Sequence, residues 1–248
     1  MTASIIPLEA RKIAQRFGRK VVLRAVDLEL QAGEVVGLIG ANGAGKTTLF
    51  SILTGLMQPD SGSLRLGGSF LEDLDLGARA RLAYVAHGVQ LYPGLSAREN
   101  LELYAALRAA AGASTLASAE VLARFGLAEA AEGRVSAFSR GMGQRLALAR
   151  AVAGAPELLI LDEPFTALDR AGRELLVEVL AEERARGAAV LLSSHDHAML
   201  VRIADRVVSL ERGVIAGEVR RDDASELGEG SFAARAAALW SGAEATEG

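Results

Sequence analysis

Glu34-Val35-Val36-Gly37-Leu38-Ile39-Gly40-Ala41-Asn42-Gly43-Ala44-Gly45-Lys46-Thr47-Thr48 runs from a short apolar strand into a glycine-rich turn and on into a helix. Leu49, Ile52, Leu53 and Leu56 continue it at helical spacing. Gly40 to Thr47 matches the phosphate-binding loop pattern in the strand, loop and helix setting that the pattern requires. Glycines let successive backbone N–H groups turn toward phosphate oxygens, and the helix N-terminus adds the positive end of its dipole. Lys46 then reaches the outer phosphates, Thr47 offers a hydroxyl to Mg²⁺, and Asn42, Ala44 and Thr48 complete the nucleotide-binding set with Gly40, Gly43 and Gly45.

Outward from this loop the chain alternates strands and helices. Val26, Leu28 and Leu30 stand opposite Asp27 and Glu29, so Val21 to Leu30 reads as a half-buried strand of an antiparallel part that opens the fold. Pro59-Asp60-Ser61-Gly62 signals a turn before a short strand, Ser63 to Leu66. Residues 84–152 are rich in Ala, Leu, Arg and Glu and read as an inserted helical subdomain, with Ser96-Ala97-Arg98-Glu99 a capping box. Leu158 to Leu161 and Val190 to Ser193 are buried strands, and Arg206 to Leu210 with Val214 to Val219 form a closing hairpin. The expectation is one α/β domain with a mainly parallel sheet: 1–83 and 153–220 the core, 84–152 the helical insert and 221–248 a C-terminal tail. Phe232, Ala236, Leu239 and Trp240 share a helical face in that tail, which either docks on the domain or meets a partner.

Composition narrows the function classes. The 248 residues carry a net charge of −4, which argues against nucleic acid as a partner. The absence of cysteine removes disulfides and thiolate metal sites. Mean hydropathy is +0.24, yet no stretch reaches the roughly 20 apolar residues of a spanning helix. Met1 to Glu9 have neither the basic patch nor the apolar run of a secretory signal.

Asp162 and Glu163 place two carboxylates at the end of the Leu158 to Leu161 strand, where one can hold Mg²⁺ and the other polarise an attacking water. That pairing leaves kinases, GTPases and helicases open. Phe138-Ser139-Arg140-Gly141-Met142, just before a helix, resembles the signature loop of ABC ATPases, usually written LSGGQ. Ser139 and Gly141 match it, whereas Arg140 and Met142 replace its first Gly and its Gln. Ala167-Leu168-Asp169 resembles the family's D-loop, and Ser194-His195-Asp196 its switch histidine. Phe17 sits where the family stacks an aromatic ring on adenine, and the resemblance covers roughly residues 8 to 220.

The resemblance implies a P-loop NTPase fold of the ABC type, ATP and Mg²⁺ as ligands, and ATP hydrolysis with Glu163 and His195 catalytic. Ser139 to Met142 would act in trans, Asp169 at the dimer contact, and Thr47 with Asp162 around Mg²⁺. His87 departs from the family's glutamine and is either an imperfect substitute in the Mg²⁺ shell or a loop histidine with no ligand. Implied partners are a second copy or a homologous ATPase and an integral-membrane permease, at the cytoplasmic face of the cell membrane. The signature variant followed by Gln144-Arg145-Leu146, together with His87 and Leu161-Asp162-Glu163-Pro164-Phe165-Thr166, looks most like the ATPase of haem exporters from cytochrome c maturation. Drug, polysaccharide and lipid exporters are the alternative within the family. Outside transport stand a soluble ABC ATPase, lacking here the long coiled coils or second ATPase unit of such proteins, and a P-loop small-molecule kinase. His197, one step into a helix, is expected to cap it or face solvent.

Overall fold

The computed structural model describes residues 3–221 and 229–244. Its frame is a six-stranded sheet whose order follows from three apolar runs: β3 (Val35–Ile39), β7 (Leu158–Asp162) and β8 (Ala189–Ser193), buried at every position. A strand can be apolar throughout only if both faces are covered. In β7, Leu158 and Ile160 join the hydrophobic cluster on one face and Leu159 and Leu161 that on the other. With β6 (Leu82–Val85), β9 (Arg206–Glu211) and β10 (Val214–Arg220) the order is β10-β9-β3-β8-β7-β6, parallel except for β10. This is an α/β fold of the expected kind. β6 crosses the expected 83/84 boundary, so the chain leaves the sheet only after Val85.

A second, antiparallel sheet of order β2-β1-β4-β5 comprises β1 (Leu8–Phe17), β2 (Lys20–Leu30), β4 (Ser61–Leu66) and β5 (Ser69–Phe70). It packs over α1 (Lys46–Leu53) in the cluster on one side of the parallel sheet. β1 escapes sequence reading because its inward residues Leu8, Ala10 and Ile13 lose the two-residue period at Lys12, where φ is +51° and the pairing register shifts. A bulge of this kind turns the next side chain back to the core face at the expense of the alternation.

The opposite face carries α3 (Ala97–Ala110), α4 (Ser118–Arg124), α5 (Arg140–Ala153), α6 (Arg170–Ala185), α7 (His197–Ile203) and α8 (Glu229–Glu244), while the short α2 (Leu76–Arg79) precedes β6. Ser96 opens α3 with both bonds of the capping box: Glu99 N–H donates to Ser96 Oγ, and Ser96 N–H donates to Glu99. Buried Arg108 donates to the carbonyls of Ala80 and Gly154, holding together the segments that enter and leave the helical region.

Two expectations are corrected. α1 ends at Leu53 and the chain turns at Gly55 (φ +74°), so Leu56 lies outside the helix and is exposed. His197 neither caps α7, a role taken by Asp196, nor stands free in solvent; its ring packs on Trp240 of α8. Among the described residues no helix is long and apolar enough to cross a membrane.

Candidate functional site

The carboxyl ends of β3, β7 and β8 open onto one cleft of about 670 Å³. Gly40, at φ +153°, ends β3; a Cβ there would meet the Leu210 carbonyl oxygen at 2.3 Å, so only glycine lets the loop pass. Asn42, Gly43, Gly45, Lys46, Thr47 and Thr48 line the cleft from the loop and the first turn of α1, where orphan backbone donors gather. Gly40 and Ala44 are not among the residues that line the cleft, and Ala44 is buried. Lys46 Nζ donates to the carbonyls of Gly40 and Ala41, holding its ammonium against the loop.

Asp162 ends β7 with its side chain buried. One carboxylate oxygen accepts from Thr47 Oγ1 at 2.9 Å and the other from Ser193 Oγ at 2.7 Å. Ser193 Oγ also accepts the backbone N–H of Glu163 at 2.9 Å, which links the ends of β7 and β8. Burial first, then the Asp162 charge, push the Tyr84 hydroxyl up to about 12, so it stays protonated beside this carboxylate. Sequence reading took Ser193 only as a strand end; the signal available was a hydroxyl at the close of an otherwise apolar run.

Glu163 occupies the left-handed region at φ +54°, a conformation that costs a non-glycine residue about 1–2 kcal/mol. Its Oε2 accepts from the His195 backbone N–H at 3.2 Å. Oε1 is buried without a hydrogen-bond partner, with His195 Nε2 at 3.4 Å but outside bonding geometry. Glu163 thus combines backbone strain with a carboxylate oxygen that has no hydrogen-bond partner, beside the cleft that it lines. Phe17 and His87 line the same cleft, both exposed.

Thr47 and Asp162 supply oxygen donors alone, which suits a hard cation such as Mg²⁺. Among the described residues there is no cluster of three His, Cys, Asp or Glu able to hold a metal, so phosphate and water oxygens would complete the shell.

Ser139, Arg140, Gly141, Met142 and Asp169 stand outside this cleft. Ser139 caps α5, its Oγ accepting from Met142 N–H at 3.2 Å. A Cβ on Gly141 would approach the Ala167 carbonyl oxygen to 2.8 Å, Gln144 Nε2 donates to the Pro164 carbonyl at 3.2 Å, and Arg145 pairs with Asp169 at 2.5 Å. The start of α5 and the loop 164–169 therefore form one packed unit. Gly172 N–H and then Arg145 hold the Asp169 carboxyl below its ordinary range. Arg173, which pairs with Asp196 at 2.8 Å, was not singled out from sequence, where it reads as an ordinary helix residue; Gln144 and Arg145 were noted there only as part of the family likeness, not for these contacts.

Residues 23–166 match the family model described as ABC transporter. The chain belongs to the ABC transporter family. Nod factor export ATP-binding protein I of Burkholderia lata is 37% identical over 210 residues, covering 84% of this chain and 69% of that protein. Linearmycin resistance ATP-binding protein LnrL of Bacillus subtilis is 33% identical over 223 residues, covering 89% and 72%. The solved ATP-binding subunit of an ABC transporter superposes with a TM-score of 0.82 at 31% identity over 95% of this chain and 99% of that one. A dimeric ATP-binding cassette bound to ADP and Pi shares the fold, with a TM-score of 0.76 at 24% identity over 86% and 98%. Within the ABC transporter family this chain is the ATP-binding, ATP-hydrolysing part.

Proposed function

We propose that this ATPase works as one half of a nucleotide-clamped pair beneath a separate membrane permease, at the cytoplasmic face of the cell membrane, and drives export of a drug, polysaccharide or lipid-class molecule. The observation that carries the reading is a division of labour: Lys46, Thr47, Asp162, Glu163 and His195 line one cleft, while the Ser139 to Met142 helix start faces elsewhere. A second copy would bring that helix start, with its unpaired first-turn donors, to the γ-phosphate. Closure would then depend on the nucleotide, because the second copy's donors have a partner only while the γ-phosphate is present.

In the hydrolytic step Glu163 takes a proton from water as the water oxygen bonds to the γ-phosphorus, and the bridging oxygen leaves on ADP. His195 holds the γ-phosphate, Lys46 offsets charge on the outer phosphates, and Phe17 stacks on adenine. Mg²⁺, held by Thr47 and Asp162, would neutralise phosphate charge. His87 fits best in the outer shell, acting through water, because Mg²⁺ prefers oxygen ligands.

Export and resistance names among the relatives support the drug, polysaccharide or lipid reading. The narrower likeness to haem exporters rests on the signature variant with Gln144-Arg145-Leu146, on His87 and on Leu161 to Thr166. The test is recovery of partners from detergent-solubilised native membranes with tagged Glu163→Gln protein and Mg-ATP. A polytopic subunit that co-purifies is the expected result, and bound haem would restore the haem reading. Recovery of soluble proteins only would move the chain to a non-transport ATPase.

A further inference from the structure

We propose that the C-terminal helix α8 braces the switch segment, with Trp240 a positioning residue for His195. The inference rests on the reading of His195 given above. His195 stands two residues before α7, so its direction follows the start of that helix. α7 has only seven residues, too few to be stable without tertiary support.

α8 supplies that support at both ends. At the start of α7 the Trp240 ring lies against His197, the planes 34° apart. At its close, Arg221 donates to the carbonyls of Val201 and Ala204, and its guanidinium lies 4.5 Å over the Phe232 ring. Phe232, Ala236 and Trp240, spaced four apart, are each at most 4% exposed and join the hydrophobic cluster that contains Leu200 of α7 and Ala204, which follows it. Gly217 of β10 faces α8, with Leu239 Cδ1 2.5 Å from where a Cβ would stand.

The other contacts of the switch segment lead back to the site. Asp196 Oδ2 pairs with Arg173 of α6, Asp196 Oδ1 accepts from Met199 N–H, and His195 N–H donates to Glu163. The brace thus reaches a group whose placement sets the rate. A misplacement of about 1 Å at a reacting centre costs up to ~100-fold.

Trp240 is the single tryptophan, so emission excited selectively at tryptophan reports its surroundings. Three variants are compared for ATP affinity, KM and kcat: Trp240→Ala, Trp240→Phe and His195→Ala. The expected result is a kcat about tenfold lower for Trp240→Ala with KM changed less than about twofold, and recovery of most of kcat in Trp240→Phe. In Glu163→Gln protein, Mg-ATP shifts the emission of Trp240 and Mg-ADP does not. Wild-type kcat in Trp240→Ala, loss of ATP affinity in that variant, or an emission indifferent to Mg-ATP overturns the brace. If His195→Ala keeps full kcat, the underlying reading of His195 falls instead.

Discussion

The two sheets meet at one cleft and contribute to it in different ways. The parallel sheet delivers Asp162, Glu163 and Ser193 from strand ends fixed by burial on both faces, whereas the antiparallel sheet delivers Phe17 from the end of β1, where the residue is half exposed. Fixed geometry suits charge and proton transfer, which tolerate little displacement; an exposed ring suits base stacking, which tolerates much. The rigid sheet should therefore govern turnover and the bulged one affinity.

The sharpest way to break this division is Glu163→Gln. kcat is expected to fall about 10²–10⁴-fold, the range for loss of a general base, while ATP binding persists and dimers accumulate. Steady-state hydrolysis and gel filtration with Mg-ATP check both halves; an active variant removes Glu163 from the proton transfer. Ile160→Ala, in the middle of β7, is expected to cost about 2–5 kcal/mol of stability in denaturant unfolding. Phe17→Ala should raise KM for ATP with kcat kept, by about 1–3 kcal/mol of lost stacking. A fall in kcat there would mean that β1 also sets catalytic geometry.

Ala25 tests the bulges themselves. It sits at φ +57° beside the β2 irregularity, so Ala25→Gly should stabilise the fold by about 0.5–1 kcal/mol, whereas glycine inside a parallel strand destabilises. The smallest effect concerns Glu157, which ties Ser4 and Ile5, at the entrance to β1, and Arg81, before β6, to the start of β7. Burial raises its pKa, but the bonds from Ile5 N–H, Ser4 and Arg81 outweigh that and hold it below the ordinary value. A depressed folded pKa means that this tie is fully present above the unfolded value near ~4.3 and is lost as pH falls through the folded one. Thermal unfolding of wild type and Glu157→Gln should therefore converge in acid and separate above about pH 5.

What could be read from sequence follows the same division. β3, β7 and β8 were legible because two buried faces leave no choice but continuous apolar residues. Ser96 and Glu99 were legible because a capping box is local chemistry. β1 was not, because the Lys12 bulge moves Ile13 to the core side and destroys the period by which strands are found. Leu56 misled in the other direction: its spacing is helical, but Gly55 turns the chain first. In the site, the loop, the carboxylates and His195 were legible as motifs. The Ser193 bridge, the Arg145 to Asp169 pair and the packing of His197 on Trp240 join residues 24 to 43 positions apart, and no local pattern records such distances.

Glu163 carries a consequence for laboratory evolution. Its left-handed backbone makes that position one of the cheapest places to gain stability, since glycine or asparagine would relax it. A library selected for heat resistance alone is therefore expected to discard Glu163 early, and a variant with glycine or asparagine there would keep the fold and lose the carboxylate. Keeping the carboxylate through such a selection requires turnover, not binding, as the survival criterion.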